Sequence, residues 1–259
     1  MSTAAIHPKG QRLTSPNRSP SDWVAAYLTS SVGQKILVGF TGLSLVGFVF
    51  FHMVGNLKMF SGQESINKYA HFLKHDLGAL IWVARVGLLG LFAVHLFLTI
   101  KLKLAAKAAR PVAYLQHRSA QATLASKTMI WTGLVTLAFA IFHLAHFTFG
   151  YVHEATVVDS ATGISTQVNY LSLKDEHGYH DVFTMVKSGF ETPWISVIYI
   201  ACQILLYVHL SHGISSSLQT LGLLGKRFSP VAKLAAMGIA GTVLVGNLAI
   251  VGAVWLKLI

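Results

Sequence analysis

The chain has 259 residues, of which 53% are hydrophobic and only 11% charged. Soluble domains carry about 25% charged residues, so this balance excludes an ordinary soluble globule and points to a membrane protein. The formal net charge of +11 raises nucleic acid as a partner, but the placement of the charges argues against it.

Residues 1–32 are polar and basic, with Pro8, Pro16 and Pro20. They are expected to form a retained, partly ordered cytoplasmic segment. The first apolar run is too long for a signal h-region and lacks an A-x-A site. Residues 33–259 are expected to form one transmembrane domain of the all-α class. Five runs reach the roughly 20 apolar residues that a bilayer crossing needs. They lie near residues 33–57, 78–104, 127–150, 194–218 and 231–256, and are numbered spans I to V. Backbone polar groups cannot stay unpaired in lipid, so each span is predicted to be a helix.

Between spans I and II, residues 63–73 place Ile66, Tyr69, Ala70 and Leu73 at helical spacing. That pattern suits a short helix on the membrane surface. A basic loop joins spans II and III. The long loop 151–191, with Gly163 and Gly178, is expected to cap one face with little regular structure. No clear internal repeat is evident. The single cysteine, Cys202, sits in mid-span, which excludes a disulfide within the chain.

With the N-terminus inside, thirteen of the twenty Lys and Arg fall on inner segments and six on outer ones, with Arg85 inside span II. This excess predicts an inside N-terminus and an outside C-terminus. Glu154, Asp159, Asp175, Glu176, Asp181 and Glu191 collect on the outer side. The basic balance is therefore topology plus attraction to anionic lipid.

Four histidines, His52, His95, His143 and His209, lie inside four different spans. A polar ring in hydrocarbon is costly and usually functional. At about 1.5 Å rise per residue, His52 and His143 share an outer depth and His95 and His209 an inner one, about 15 Å apart. Two pairs of imidazoles on opposing helices are the set needed to clamp two haems. Such ligation leaves no open iron position and suits electron transfer. No C-x-x-C-H occurs, so each haem b would be held by coordination alone. The second ring nitrogen of each ligand should meet a carbonyl or hydroxyl. Gly39, Gly42, Gly47, Gly87, Gly90 and Gly133 offer room beside the ligands, though small residues serve plain helix packing equally well.

His146 and His212 lie three residues after two of these ligands and face nearly the same side; helical geometry favours His143 and His209 over them. Arg85 has two readings of equal standing, a partner for an outer haem propionate or an Arg reaching back to Asp76 or a carbonyl. The Lys101/Lys103 and Lys226/Arg227 positions read as inside anchors. His71 and His75 read as an exposed turn, and His7, His117, His153, His177 and His180 as solvated loop residues.

The stretches FVFFHMVGNLKMFSGQESINKYAHFL (48–73), LFAVHLFLTIKL (91–102), FAIFHLAHF (139–147) and LLYVHLSHGISSSLQTLG (205–222) resemble the four ligand helices of a known family. This is the diheme cytochrome b membrane subunit of succinate:quinone oxidoreductases, the single-polypeptide five-helix type of succinate dehydrogenases and fumarate reductases. The resemblance runs from span I to span V. It implies His52 with His143 and His95 with His209 as haem ligands. It also implies a flavoprotein carrying FAD and an iron–sulfur subunit docked on the cytoplasmic face of a bacterial-type inner membrane, with no succinate chemistry on this chain. Quinone, usually menaquinone, would bind near the outer haem, where Glu64, Asn67, His71 and Lys74 are candidates beside the alternative of a wetted interfacial helix. A higher oligomer of the whole complex is compatible with the resemblance. Some fumarate reductases carry a glutamate just before the last ligand; here Leu205, Leu206, Tyr207 and Val208 stand there, which tilts the reading toward a succinate dehydrogenase. The competing readings are a cytochrome b anchor of a hydrogenase or formate dehydrogenase, and a haem-free transporter or structural anchor.

Overall fold

The computed structural model describes residues 19–109, 123–158, 161–225 and 229–259. The Lys226/Arg227 turn, the basic positions at 110 and 118, His7 and His117 lie outside these residues. Of the described residues, 80% are helical. Helix α1 (Pro20–Thr29) leads into α2 (Ser31–Asn56); then come α3 (Gln63–His71), α4 (Ala79–Ala108), α5 (Leu124–His143), a β-hairpin of β1 (Glu154–Val158) and β2 (Ser165–Asn169), α6 (Val182–Glu191), α7 (Pro193–Thr220) and α8 (Ser229–Trp255). Helices α2, α4, α5, α7 and α8 are long and apolar enough to cross a membrane, and they match spans I to V. This is the architecture of a multi-pass membrane protein.

Two segments carry more structure than their composition suggests. Helix α1 lies in the segment expected to be only partly ordered. A capping box starts it: the Ser19 side chain accepts from the Asp22 amide, and the Asp22 carboxylate accepts from the Ser19 amide, which satisfies two otherwise orphaned donors. The loop 151–191, expected to be largely irregular, holds the antiparallel β1–β2 hairpin and α6. Asn169 anchors the hairpin by donating to the Phe149 and Gly150 carbonyls, and Gly150 has φ +65, a conformation that glycine adopts without strain.

Helices α2 and α7 form the centre. Helix α4 packs on α2, α5 packs on α7, and α8 lies across α7 and α2. Met53 of α2 fills a notch at Gly246 of α8, where any Cβ would collide with its sulfur. Helices α4 and α5 bury little: Leu98 is the one buried residue of α4, and Thr132 the one of α5. Neither α2 with α5 nor α4 with α7 is among the closely packed pairs.

An apolar cluster of Met59, Ile66, Phe190, Ile195, Tyr199, Ile250, Val251 and Val254 closes one end of the bundle. Phe190 O ties it together, accepting from Ser196 Oγ at 2.6 Å and Trp255 Nε1 at 2.9 Å. Over it, α3 is bolted to the loop 151–191 by Asn67, which is fully buried. Its amide donates to Asp175 Oδ2 at 3.0 Å and Asp181 Oδ1 at 3.1 Å, and its carbonyl accepts from the Phe183 amide at 3.0 Å. Gln63 adds a bond to Asp181. Burial pushes the Asp181 carboxyl up, but donors from Thr184, Asn67 and Gln63 outweigh it and hold the group below its usual value.

Candidate functional site

The inner level is built twice on one pattern. His95 on α4 places Nδ1 3.2 Å from Thr41 Oγ1 on α2, and His209 on α7 places Nδ1 3.1 Å from Thr132 Oγ1 on α5. A threonine hydroxyl has one proton. Thr41 commits its own to the Leu37 or Val38 carbonyl, and Thr132 to Thr128 or Met129. With its proton so placed, each hydroxyl oxygen can accept from the histidine Nδ1–H. That is the tautomer that would leave the Nε2 lone pair free for a metal. The next residue in each case is glycine. A Cβ at Gly42 would lie 3.1 Å from His95 Cε1, and one at Gly133 would lie 3.3 Å from His209 Cε1. The two rings lie close enough to interact electrostatically.

At the outer level His52 on α2 faces His143 on α5, with ring centroids 5.7 Å apart and planes at 87°. Two imidazoles on opposite sides of one metal, each bonded at about 2.0 Å, have centroids about 6 Å apart. The helices meet here through their rings and not by backbone packing. His52 stacks on Phe48. His143 Nδ1 lies 3.2 Å from Tyr199 Oη. These groups would fit the clamp of a flat macrocycle: His52 and His143 face one another, and His95, His209 and His143 each have a hydroxyl at Nδ1. Of the six glycines expected to make room, Gly42 and Gly133 lie against His95 and His209. Gly39 packs on Ser217 and Leu221, while a Cβ at Gly47, Gly87 or Gly90 would meet no described atom within 4 Å.

His146 is fully buried. Its Nδ1 lies 3.0 Å from Tyr199 Oη and its Nε2 lies 2.8 Å from His153 Nδ1. Both of its nitrogens are engaged, unlike those of the four candidate ligands, which fits the preference for His143. Two expectations need correction. His153 and His180 are not solvated, because the outer loop folds onto the bundle. His153 bonds His146 and stacks on Tyr170, and His180 lies 3.4 Å from Lys74 Nζ. Burial pushes both histidines below their ordinary value, with Lys74 adding to the effect at His180.

Arg85 stacks on Trp82, its guanidinium carbon 4.8 Å from the ring centroid. Among the described residues it makes no ion pair, so the reach to Asp76 is not made. It is near enough to Lys74 to help burial lower that ammonium's pKa. Glu64 is exposed; Lys74 is exposed along its stem, with its ammonium partly buried. His71 stacks on His75 and Tyr179 and lines a surface cavity of about 360 Å³ with Lys58, Lys68 and Phe72. Asn67 is spent on the structural bolt already described. Among the described residues no cluster of three or more His, Cys, Asp or Glu could hold a metal ion.

The segments that lead to His52 and His143 share a short local similarity. Thr41-Gly42-Leu43 precedes His52 as Thr132-Gly133-Leu134 precedes His143, with Phe48/Phe139 and Phe51/Phe142 in register. Sliding span I along span III would have found it; depth alone does not. Comparison with family models, curated proteins and solved structures gives no match.

Proposed function

We propose that this chain is the membrane-anchor, diheme cytochrome b subunit of a succinate:quinone oxidoreductase, of the succinate dehydrogenase kind. The observation that carries the reading is the facing pair His52 and His143, together with His95 and His209, each with a threonine hydroxyl at Nδ1 in a geometry that would leave Nε2 to a metal. In this reading His52 and His143 hold the outer haem b, and His95 and His209 the inner one. Bound between two imidazoles, a haem iron supplies reversible one-electron transfer with no open coordination position.

The chain's own residues do the rest. Thr41 and Thr132 orient the inner ligands and strengthen them as donors. Tyr199 does so for His143. The Asn67 bolt and the apolar cluster beneath it keep water from the outer level. Arg85, which has no acid partner among the described residues, would face a propionate of the outer haem. Quinone would bind near α3, where His71, Lys74 and Glu64 remain as polar candidates. The inside face, rich in Lys and Arg by sequence, would receive the iron–sulfur subunit and the flavoprotein.

The test is purification of the intact complex in detergent. Two b haems per chain in a reduced-minus-oxidised spectrum, with co-purifying flavin and succinate oxidation, support the proposal. One haem per chain breaks the pairing, and none ends the cytochrome reading. Two haems with a hydrogenase or formate dehydrogenase partner would move the anchor to another enzyme.

A further inference from the structure

The outer ligand differs from the inner ones in what lies behind it. Behind His95 and His209 stand a threonine hydroxyl and a backbone carbonyl of the same helix, at Val38 and Met129 respectively. Behind His143 stand three groups in series: Tyr199 Oη at 3.2 Å from His143 Nδ1, His146 Nδ1 at 3.0 Å from the same oxygen, and His153 Nδ1 at 2.8 Å from His146 Nε2.

Proton accounting gives this series a direction. Tyrosine has one hydroxyl proton, and a neutral imidazole has one N–H and one lone pair. If His143 offers Nε2 to a metal, its proton is on Nδ1 and is donated to Tyr199. Tyr199 must then donate to His146 Nδ1. His146 in turn carries its proton on Nε2 and donates to His153 Nδ1. His153 is left with its proton on Nε2, a buried atom with no hydrogen-bond partner in good geometry among the described residues. The reversed order places a proton on His143 Nε2 and removes the lone pair. The ligand form of His143 and the tautomer of His153 are thus one choice.

The surroundings hold the series in place. The backbone after His143 widens into a π turn over Leu144–Thr148, a distortion common at functional sites. His146 stacks on Phe147 at 3.9 Å. Tyr199 is 4% exposed and boxed by Phe139, Phe142 and Phe190. Gly189 of α6 makes room: a Cβ there would lie 2.9 Å from His146 Nε2 and 3.3 Å from His153 Cε1. Burial disfavours the charged form of His153, so it stays a neutral acceptor.

We propose that Tyr199, His146 and His153 form a polarised hydrogen-bond relay that positions His143 and raises its donor strength, setting the outer iron's potential apart from the inner one's. The inference rests on the haem reading above. Tyr199, His146 and His153 are positioning residues that act through His143. A stronger donor favours the ferric state, and hydrogen bonds in series strengthen one another.

The experiment is a spectroscopic redox titration of the purified complex, with low-spin electron paramagnetic resonance, on wild type, Tyr199→Phe and Gly189→Ala. The Tyr199→Phe substitution keeps the ring packing and removes the hydroxyl. The expected result is two haems retained, an upward shift of the outer midpoint and an altered outer resonance, with the inner haem unmoved. Gly189→Ala, which removes none of the relay groups, should shift the same midpoint in the same direction by less. Outer midpoints and resonances unchanged in both variants overturn the relay while leaving the haem reading intact. Equal shifts of both haems overturn it too, since that marks a general packing effect. Should Tyr199→Phe fail to assemble, His153→Phe at the far end of the relay is judged by the same two readouts. A wild-type complex without haem removes the parent reading itself.

Discussion

Replacing Thr132 with valine keeps the side-chain shape and removes the oxygen that accepts from His209 Nδ1–H at 3.1 Å. The site is dry: Thr132 is 5% exposed, and the position is flanked by Gly133, against which His209 Cε1 packs. The Thr128 and Met129 carbonyls lose only a secondary donor, since the helix still bonds them. The cost therefore sits on the histidine. A buried donor left unpaired costs about 1–3 kcal/mol. Loss of such a partner behind a metal ligand costs about 10–100-fold in affinity, which at about 1.4 kcal/mol per decade spans the same range. Thr41→Val should do the same through His95. The assay is release of haem from the purified complex to an excess of apo-globin, followed in the visible spectrum. The expected outcome is about 10–100-fold faster loss of one haem of the two. Thr136→Val is the control, because its hydroxyl bonds only the Thr132 carbonyl. If Thr41→Val and Thr132→Val both release haem at the control rate, the tautomer argument for the inner ligands is wrong.

Other outcomes follow from the same geometry. His95→Leu should remove the inner haem and leave the outer one, seen as a halved haem content per chain with the outer resonance retained. Gly42→Ala or Gly133→Ala should lower inner-haem occupancy, whereas Gly87→Ala, whose Cβ meets no described atom within 4 Å, should leave the haem content unchanged. Asn67→Ala removes two donors to carboxylates and one acceptor; the outer cap should lose about 2–4 kcal/mol, read as faster proteolysis within residues 151–191. Acid should loosen that cap in two stages. His153 and His180 are pushed below 6.5 by burial, so the unfolded chain takes up protons first and stability falls as pH drops below about 6.5. Asp175 and Asp181 are held below 3.8, hydrogen bonds from Asn67 and its neighbours outweighing burial, so their contribution is present above about pH 4 and lost below it. Hydrogen exchange of the loop amides at about pH 7.5, 5.5 and 3.5 checks both stages; flat protection across that range would contradict them.

Hydropathy and helical rise are properties of short stretches, and what depends on them was legible in the sequence. The five long helices stand where the apolar runs do, and residues 63–73 begin a helix as their spacing predicts. The ring of His52 meets that of His143 as their depths required. The composition of residues 151–191 did not reveal the β1–β2 hairpin or α6, because those elements are stabilised by distant partners: Asn67 reaches Phe183 across 116 residues and Asp175 across 108. The same holds for the ligands' second nitrogens. Thr41 lies 54 residues from His95, and Thr132 lies 77 from His209; no local pattern pairs them. Tyr199 is 56 residues from His143, and nothing along the chain distinguishes it from Tyr207. Depth in a bilayer is a one-dimensional coordinate that sequence carries directly. Which hydroxyl faces which imidazole depends on the rotation and lateral placement of whole helices, and only their mutual packing decides that.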